Sequence, residues 1–195
     1  AKAYKLDMPD LTVTRTTVED TEAEIALYNK SVAAVKLEIA AIKEAATKNL
    51  SEEEAAVFDA HAQILEDPEL QSQVEAKIND EKLCAPAALE DVANLFITMF
   101  SSMDDAYFKE RAADVRDVTT RLKANLLGKS LPNPALIDEE VVIIAHDLTP
   151  SDTAQLNKNL VRGFITDIGG RTSHSAILAR SMEIPAVVAT NVITE

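Results

Sequence analysis

A chain of 195 residues can hold one sizeable domain or two small ones, each with its own core. Its 19 Lys and Arg stand against 33 Asp and Glu, a net charge of −14 that disfavours nucleic acid and favours a basic protein partner. No apolar run approaches the ~20 residues of a membrane span, no signal peptide opens the chain, and the lone Cys84 leaves neither an internal disulfide nor a metal-ligand spacing, which together predict a cytoplasmic protein with no membrane partner.

Residues 1–16 hold two strand candidates, at 3–6 and 11–13. From Thr17 or Thr21, either of which can cap, the pattern turns helical: Ile25, Tyr28, Val32, Val35, Ile39 and Ile42 step by three and four. Ser51-Glu-Glu-Glu54 reads as a capping box opening a second helix, with Ala55, Phe58, Ala62 and Leu65 inward. Asp67-Pro68 interrupts it, Asp67 capping and Pro68 taking the first helical position of a segment that runs on through Leu70, Val74 and Ile78. Pro86 starts a third helix with Leu89, Val92, Phe96, Met99 and Met103 on one face. Asp104 or Asp105 caps a fourth, with Phe108, Val115, Val118 and Leu122 inward, ending at Gly128. Four amphipathic helices with short turns predict an antiparallel bundle.

Leu131-Pro-Asn-Pro134 is a stiff linker, and the character changes beyond it. A buried strand at 141–145, a short helix from Thr149-Pro150, a strand at 163–166, a helix from Ser173 and a strand at 186–189 alternate as a parallel α/β layer does. The first strands are expected to join this layer. The fold class is then α plus α/β, a four-helix bundle at 17–130 inserted into a small α/β unit made of 1–16 and 131–195.

Three of the four glycines, Gly163, Gly169 and Gly170, flank one histidine. Gly169-Gly170 breaks a short buried strand, and Thr172 or Ser173 can cap a helix whose buried face is expected to be Ile177, Leu178 and Ser181 or Met182. His174 falls in its first turn, where unpaired N–H groups and the positive end of the helix dipole favour an anion. Two glycines let a bulky anion approach the backbone. An imidazole held there is poised to carry a phosphoryl group, and Arg171 could neutralise its charge. His146, also at a strand end, is the rival nucleophile, but lacks glycines around it. Ser173 and Ser175 lack the sharp elbow and partners of a serine hydrolase and are read as capping or phosphate-contacting hydroxyls.

Gly169-Gly-Arg-Thr-Ser-His-Ser-Ala-Ile177, with Arg180 and Ile184-Pro-Ala186, resembles the phosphohistidine signature of enzyme I of the bacterial phosphoenolpyruvate:sugar phosphotransferase system. Pyruvate phosphate dikinase and phosphoenolpyruvate synthase carry a similar signature. Asp147-Leu-Thr-Pro-Ser-Asp-Thr-Ala-Gln-Leu156 and Lys109-Glu-Arg-Ala-Ala-Asp-Val-Arg-Asp117 are similar to enzyme I in particular. The resemblance implies a helical carrier-binding subdomain set into a swivelling α/β phosphohistidine subdomain. It makes His174 the nucleophile through Nε2, with Thr153 holding Nδ1–H, and Gly169, Gly170, Arg171, Thr172 and Ser173 around the phosphoryl group. The carrier would be HPr, docking on Glu52, Glu53, His61, Asp67, Glu69, Leu70 and Arg111. Glu54 stands where the family often has a basic residue. Family members also carry a phosphoenolpyruvate- and magnesium-binding barrel, so the chain is expected to be a fragment without metal or cofactor of its own, the longer enzyme dimerising through the missing part. The alternatives are a dikinase or synthase swivelling domain, or a non-catalytic helical adaptor.

Overall fold

The computed structural model describes residues 1–47, 52–171 and 173–194. They fall into two compact units, one of residues 9–44 and 56–131, the other of residues 1–8, 45–55 and 132–195.

The first unit is helical. Helix α1 (Thr21–Ala46) is capped by Asp20, whose carboxylate accepts the Ala23 N–H at 2.9 Å, rather than by Thr17 or Thr21. Tyr28, Val32, Val35 and Ile39 of its stripe are buried. No strand forms at 11–13, because Asp10 accepts both the backbone N–H and the hydroxyl of Thr12 at 2.9 and 2.6 Å, an Asx turn that competes with a ladder. The chain runs instead past residues 82–84, where Val18 N–H reaches the Lys82 carbonyl at 2.8 Å and Cys84 N–H the Thr16 carbonyl at 3.0 Å.

The second helix breaks at Asp67-Pro68, as expected. Helix α2 (Glu52–Leu65) stops where α3 (Pro68–Glu81) begins, since Pro68 has no N–H to continue the ladder. Asp67 accepts the Glu69 and Leu70 N–H groups at 2.8 and 3.3 Å, and the Gln71 amide covers the Leu65 carbonyl at 2.8 Å. Ser51 lies outside the described residues, and with it the capping box expected there.

Helix α4 (Ala85–Ser101) buries Leu89 and Val92, and α5 (Ala106–Leu126), capped by Asp105, buries Val115, Val118 and Leu122. Gly128 ends α5 at φ +64°, with Lys129 N–H on the Ala124 carbonyl and Gly128 N–H on that of Asn125. That is a Schellman closure. Met99 and Tyr107 are exposed, and the rings of Phe96, Phe100, Phe108 and Tyr107 pack on one another at that end. Tyr28, Phe58, Leu65, Ile78, Leu89 and Leu122 are fully buried.

The second unit is a four-stranded parallel sheet in the order β1 (Lys2–Leu6), β2 (Val141–Ala145), β3 (Val161–Thr166), β4 (Ala186–Val187). β1 pairs with β2 although the whole helical stretch intervenes, so the expected mixture of helices and a small parallel sheet is found. β3 starts two residues earlier than expected, β4 is short and exposed, and the linker after Leu131 folds into a 3-10 turn, Pro134–Leu136, capped by Asn133. Leu6 pairs with Ala145, and Ala145 with Thr166. Their carboxyl ends are therefore level, and the segments after β2 and β3 leave from one edge. Ile143, Leu148, Leu156, Val161 and Phe164 form the core with Ala179. Among the described residues no helix is long and apolar enough to cross a membrane.

Candidate functional site

Two short helices follow the strand ends. Helix α6 (Pro150–Ala154) opens with a capping box: Thr149 accepts the Asp152 N–H, and Asp152 accepts that of Thr149, both at 3.1 Å. Thr153 on this helix is 4% exposed, and its hydroxyl donates to the Pro150 carbonyl at 2.9 Å.

After β3, Asp167 N–H and Ile168 N–H bond the carbonyls of Ala145 and His146 at 3.2 and 3.0 Å, which ties the turn to the neighbouring strand. Gly169 has φ +117°, a conformation that needs glycine, and a Cβ there would meet Ser173 Oγ at 3.1 Å. Gly170 has nothing within 4 Å of where a Cβ would stand, so it leaves the backbone open to approach. Ser173 then caps α7 (His174–Ser181): its Oγ accepts the Ala176 N–H at 3.3 Å and donates to the Gly170 carbonyl at 2.8 Å. His174 is the first residue of that helix. Thr172 lies outside the described residues, as do the side chains of His174 and Leu178.

The buried face of α7 differs from the expected one. Ser175, Ala176 and Ala179 are inside, Ile177 and Ser181 are exposed, and Met182 is partly covered. Small side chains let this helix come close to a sheet that is itself tight, since a Cβ on Gly163 would stand 2.9 Å from the Pro185 carbonyl oxygen. Arg171 is exposed at the turn.

His146, the rival nucleophile, is exposed, its Nδ1 3.4 Å from a carboxylate oxygen of Asp167. Asp167 is buried, accepts hydrogen bonds from the Thr194 and Thr190 hydroxyls and from Ile193 N–H, and is held down to about 2 by them against the opposing effect of burial. Sequence reasoning did not single it out. Its donors come from a segment more than twenty residues downstream, and no local pattern announces them.

The residues expected to dock a carrier do not all reach the surface. His61 is 1% exposed, with Nε2 3.4 Å from Asp114 and 4.0 Å from Asp117 and its ring edge-on to Phe58. Leu70 is 2% exposed. Both sit on the inner stripes of α2 and α3, in step with Phe58 and Leu65 and with Val74 and Ile78, so the helical period overrides their assignment to a surface. Glu69 is exposed, Arg111 is half-buried, and Asp67 spends one carboxylate oxygen on the α3 cap. The side chains of Glu52 and Glu53 lie outside the described residues. Among the described residues no three His, Cys, Asp or Glu stand together as a metal ion would require.

The model of the N-terminal part of PEP-utilising enzymes matches residues 1–111, and that of their mobile domain residues 137–195. Phosphoenolpyruvate-protein phosphotransferases of Latilactobacillus sakei, Geobacillus stearothermophilus and Bacillus subtilis are 56%, 58% and 55% identical over all of this chain. The chain spans about a third, 34%, of the length of those relatives. The NMR solution structure of an Enzyme I protein, nEIt, superposes with a TM-score of 0.88 at 44% identity, over 100% of this chain and 79% of that one. The N-terminal domain of a nitrogen Enzyme 1 shares the fold, with a TM-score of 0.66 at 24% identity over 96% of this chain and 77% of that one. With a turn of this geometry and these matches along its length, the chain belongs to the PEP-utilising enzymes, as the N-terminal and mobile domains of an enzyme I.

Proposed function

We propose that His174 takes up a phosphoryl group originating from phosphoenolpyruvate and passes it to a histidine of HPr, the first step of the sugar phosphotransferase system. The observation that carries this reading is the turn at the carboxyl edge of the sheet: Gly169 at positive φ, an unobstructed Gly170, and Ser173 capping a helix whose first residue is His174. Such an edge is where parallel α/β sheets hold ligands, and a helix start favours the phosphoryl dianion.

Thr153 fits its assigned part. Its hydroxyl donates to the Pro150 carbonyl, and a hydroxyl oxygen that donates can also accept from a ring N–H. An imidazole held by Nδ1–H has its lone pair on Nε2, the atom that would form the N–P bond as pyruvate leaves in its enol form. The second transfer reverses the roles: a nitrogen of the carrier's histidine attacks phosphorus and the N–P bond to His174 breaks. A loose phosphoryl transition state asks the protein mainly for in-line aim and charge neutralisation. Gly169, Gly170 and Ser173 supply the backbone cradle and the cap, Arg171 the positive charge, and Thr172 a further hydroxyl.

The phosphoenolpyruvate site, its magnesium and a dimer interface are assigned to the part of the longer relatives beyond the matched third. No step in this chain is routed through a metal. HPr would dock through Glu69 with Glu52, Glu53, Asp67 and Arg111, in the cytoplasm. The test is incubation with radiolabelled phospho-HPr. Acid-labile label is expected on the wild-type chain and none on His174→Ala, whose affinity for HPr stays unchanged. Label on His174→Ala would move the nucleophile elsewhere, His146 first.

A further inference from the structure

Asp167, two residues ahead of Gly169, has no part in the chemistry above. Four donors converge on its carboxylate: the Thr190 hydroxyl at 2.9 Å, Ile193 N–H at 2.6 Å, the Thr194 hydroxyl, and Nδ1 of His146 at 3.4 Å. The backbone repeats the connection. Asp167 N–H bonds the Ala145 carbonyl, and its own carbonyl accepts Asn191 N–H at 3.0 Å. One residue earlier the Thr166 carbonyl accepts both the N–H and the hydroxyl of Thr190, at 3.1 and 3.2 Å. One residue later Ile168 N–H bonds the His146 carbonyl, and the Ile168 carbonyl accepts the Thr166 hydroxyl at 2.8 Å.

Residues 166–168 are thus a knot joining the chain after β2 to the chain after β4. The glycine turn hangs directly from this knot, with Val188 Cβ 3.6 Å from the Cβ position of Gly169. A carboxylate buried only to fill space would destabilise the fold relative to an apolar side chain. One that gathers four donors from two segments fixes where those segments lie.

We propose that Asp167 is a positioning residue for phosphoryl transfer: by clamping residues 190–194 and His146 across the carboxyl edge of the sheet, it sets the aim of the 169–173 turn and of the first turn of α7. The inference rests on His174 being the phosphoacceptor. Misplacement of a reacting group by a fraction of an ångström slows transfer without emptying the site. The donors hold the Asp167 carboxyl down to about 2, so the clamp stays charged across the working pH range.

The test is single-turnover transfer from radiolabelled phospho-HPr to Asp167→Asn, Thr190→Val and Thr190→Ser, reading rate constant and amplitude separately. Asp167→Asn and Thr190→Val are expected to lower the rate constant about tenfold at wild-type amplitude, while Thr190→Ser, which keeps the hydroxyl, transfers like the wild type. Wild-type rates in the first two variants would overturn the proposal. So would a loss of amplitude with an unchanged rate constant, which marks a fold partly lost rather than a turn misaimed. A wild-type chain that takes up no label would count against the phosphoacceptor reading instead. The clamp is then read from backbone amide NMR shifts of 168–176, which both slow variants should move and Thr190→Ser should not; unmoved shifts would overturn it.

Discussion

At Asp167 the fold binds the ionised form of a carboxyl group, and this has a pH consequence of definite sign. The group's ordinary value of 3.8 is lowered to about 2, chiefly by the Thr194 hydroxyl and then by Thr190, Ile193 and His146. A depressed pKa stabilises the folded state above the unfolded value, and the contribution fades as pH falls through the folded one. Wild type should therefore lose protection of the β3 amides between about pH 4 and pH 2 more steeply than Asp167→Asn. Hydrogen exchange of both proteins across that range checks it, and a difference independent of pH would mean that ionisation is not what Asp167 contributes. The same residue marks the limit of sequence reading. Gly169, Gly170 and the Ser173 cap were legible because each acts on its immediate neighbours. The partners of Asp167 are brought to it only by the folding of the chain after β4. His61 and Leu70 show the opposite case, where a local pattern was sufficient and the resemblance pointed outward: their helical step places them inside, and they are buried.

Among the elements, those set by a chain-breaking residue were legible and those set by a tertiary fit were not. Asp67-Pro68 announced the start of α3, and Gly128 the end of α5. The 11–13 segment alternates like a strand, yet the Asp10 side chain takes its backbone first. Helix α7 is the instructive failure. Ile177, Leu178 and Ser181 or Met182 were expected inside, whereas Ser175, Ala176 and Ala179 face inward, Ile177 and Ser181 are exposed and Met182 is only partly covered. Close approach governs this corner of the sheet, where Phe164 N–H bonds the Pro185 carbonyl at 3.1 Å and Gly163 leaves no room for a Cβ. Gly163→Ala should accordingly push β3 from the 184–187 segment and destabilise the α/β unit by about 1–3 kcal/mol, as overpacking does. Denaturant unfolding followed at probes in each unit would show the loss in the α/β unit, with the helical one unchanged. Full stability in the variant would mean that the contact relaxes freely.

For the whole molecule, net charge bears on encounter rather than on fold. Of the 33 carboxylates, several neutralise a cation directly, as in Arg15–Asp91, Lys77–Glu81, Lys123–Glu90 and Lys43–Asp59. Such pairs are nearly silent at a distance, so the remaining charge of −14 is carried by acids such as the exposed Glu69 at the start of α3. A basic carrier approaching this surface should be steered, with an association rate that falls about tenfold between low and ~0.5 M salt while dissociation changes little. Glu69→Lys separates a local docking role from the overall field when set against Asp138→Lys, an exposed acid in the other unit. Both substitutions change the net charge equally. If Glu69 belongs to the docking face, stopped-flow association with HPr should slow several-fold for Glu69→Lys and only slightly for Asp138→Lys. Equal slowing would assign the effect to net charge alone. No slowing in either, with no salt dependence in the wild type, would remove electrostatic steering and leave Glu69 to the helix start, where its charge favours the α3 dipole.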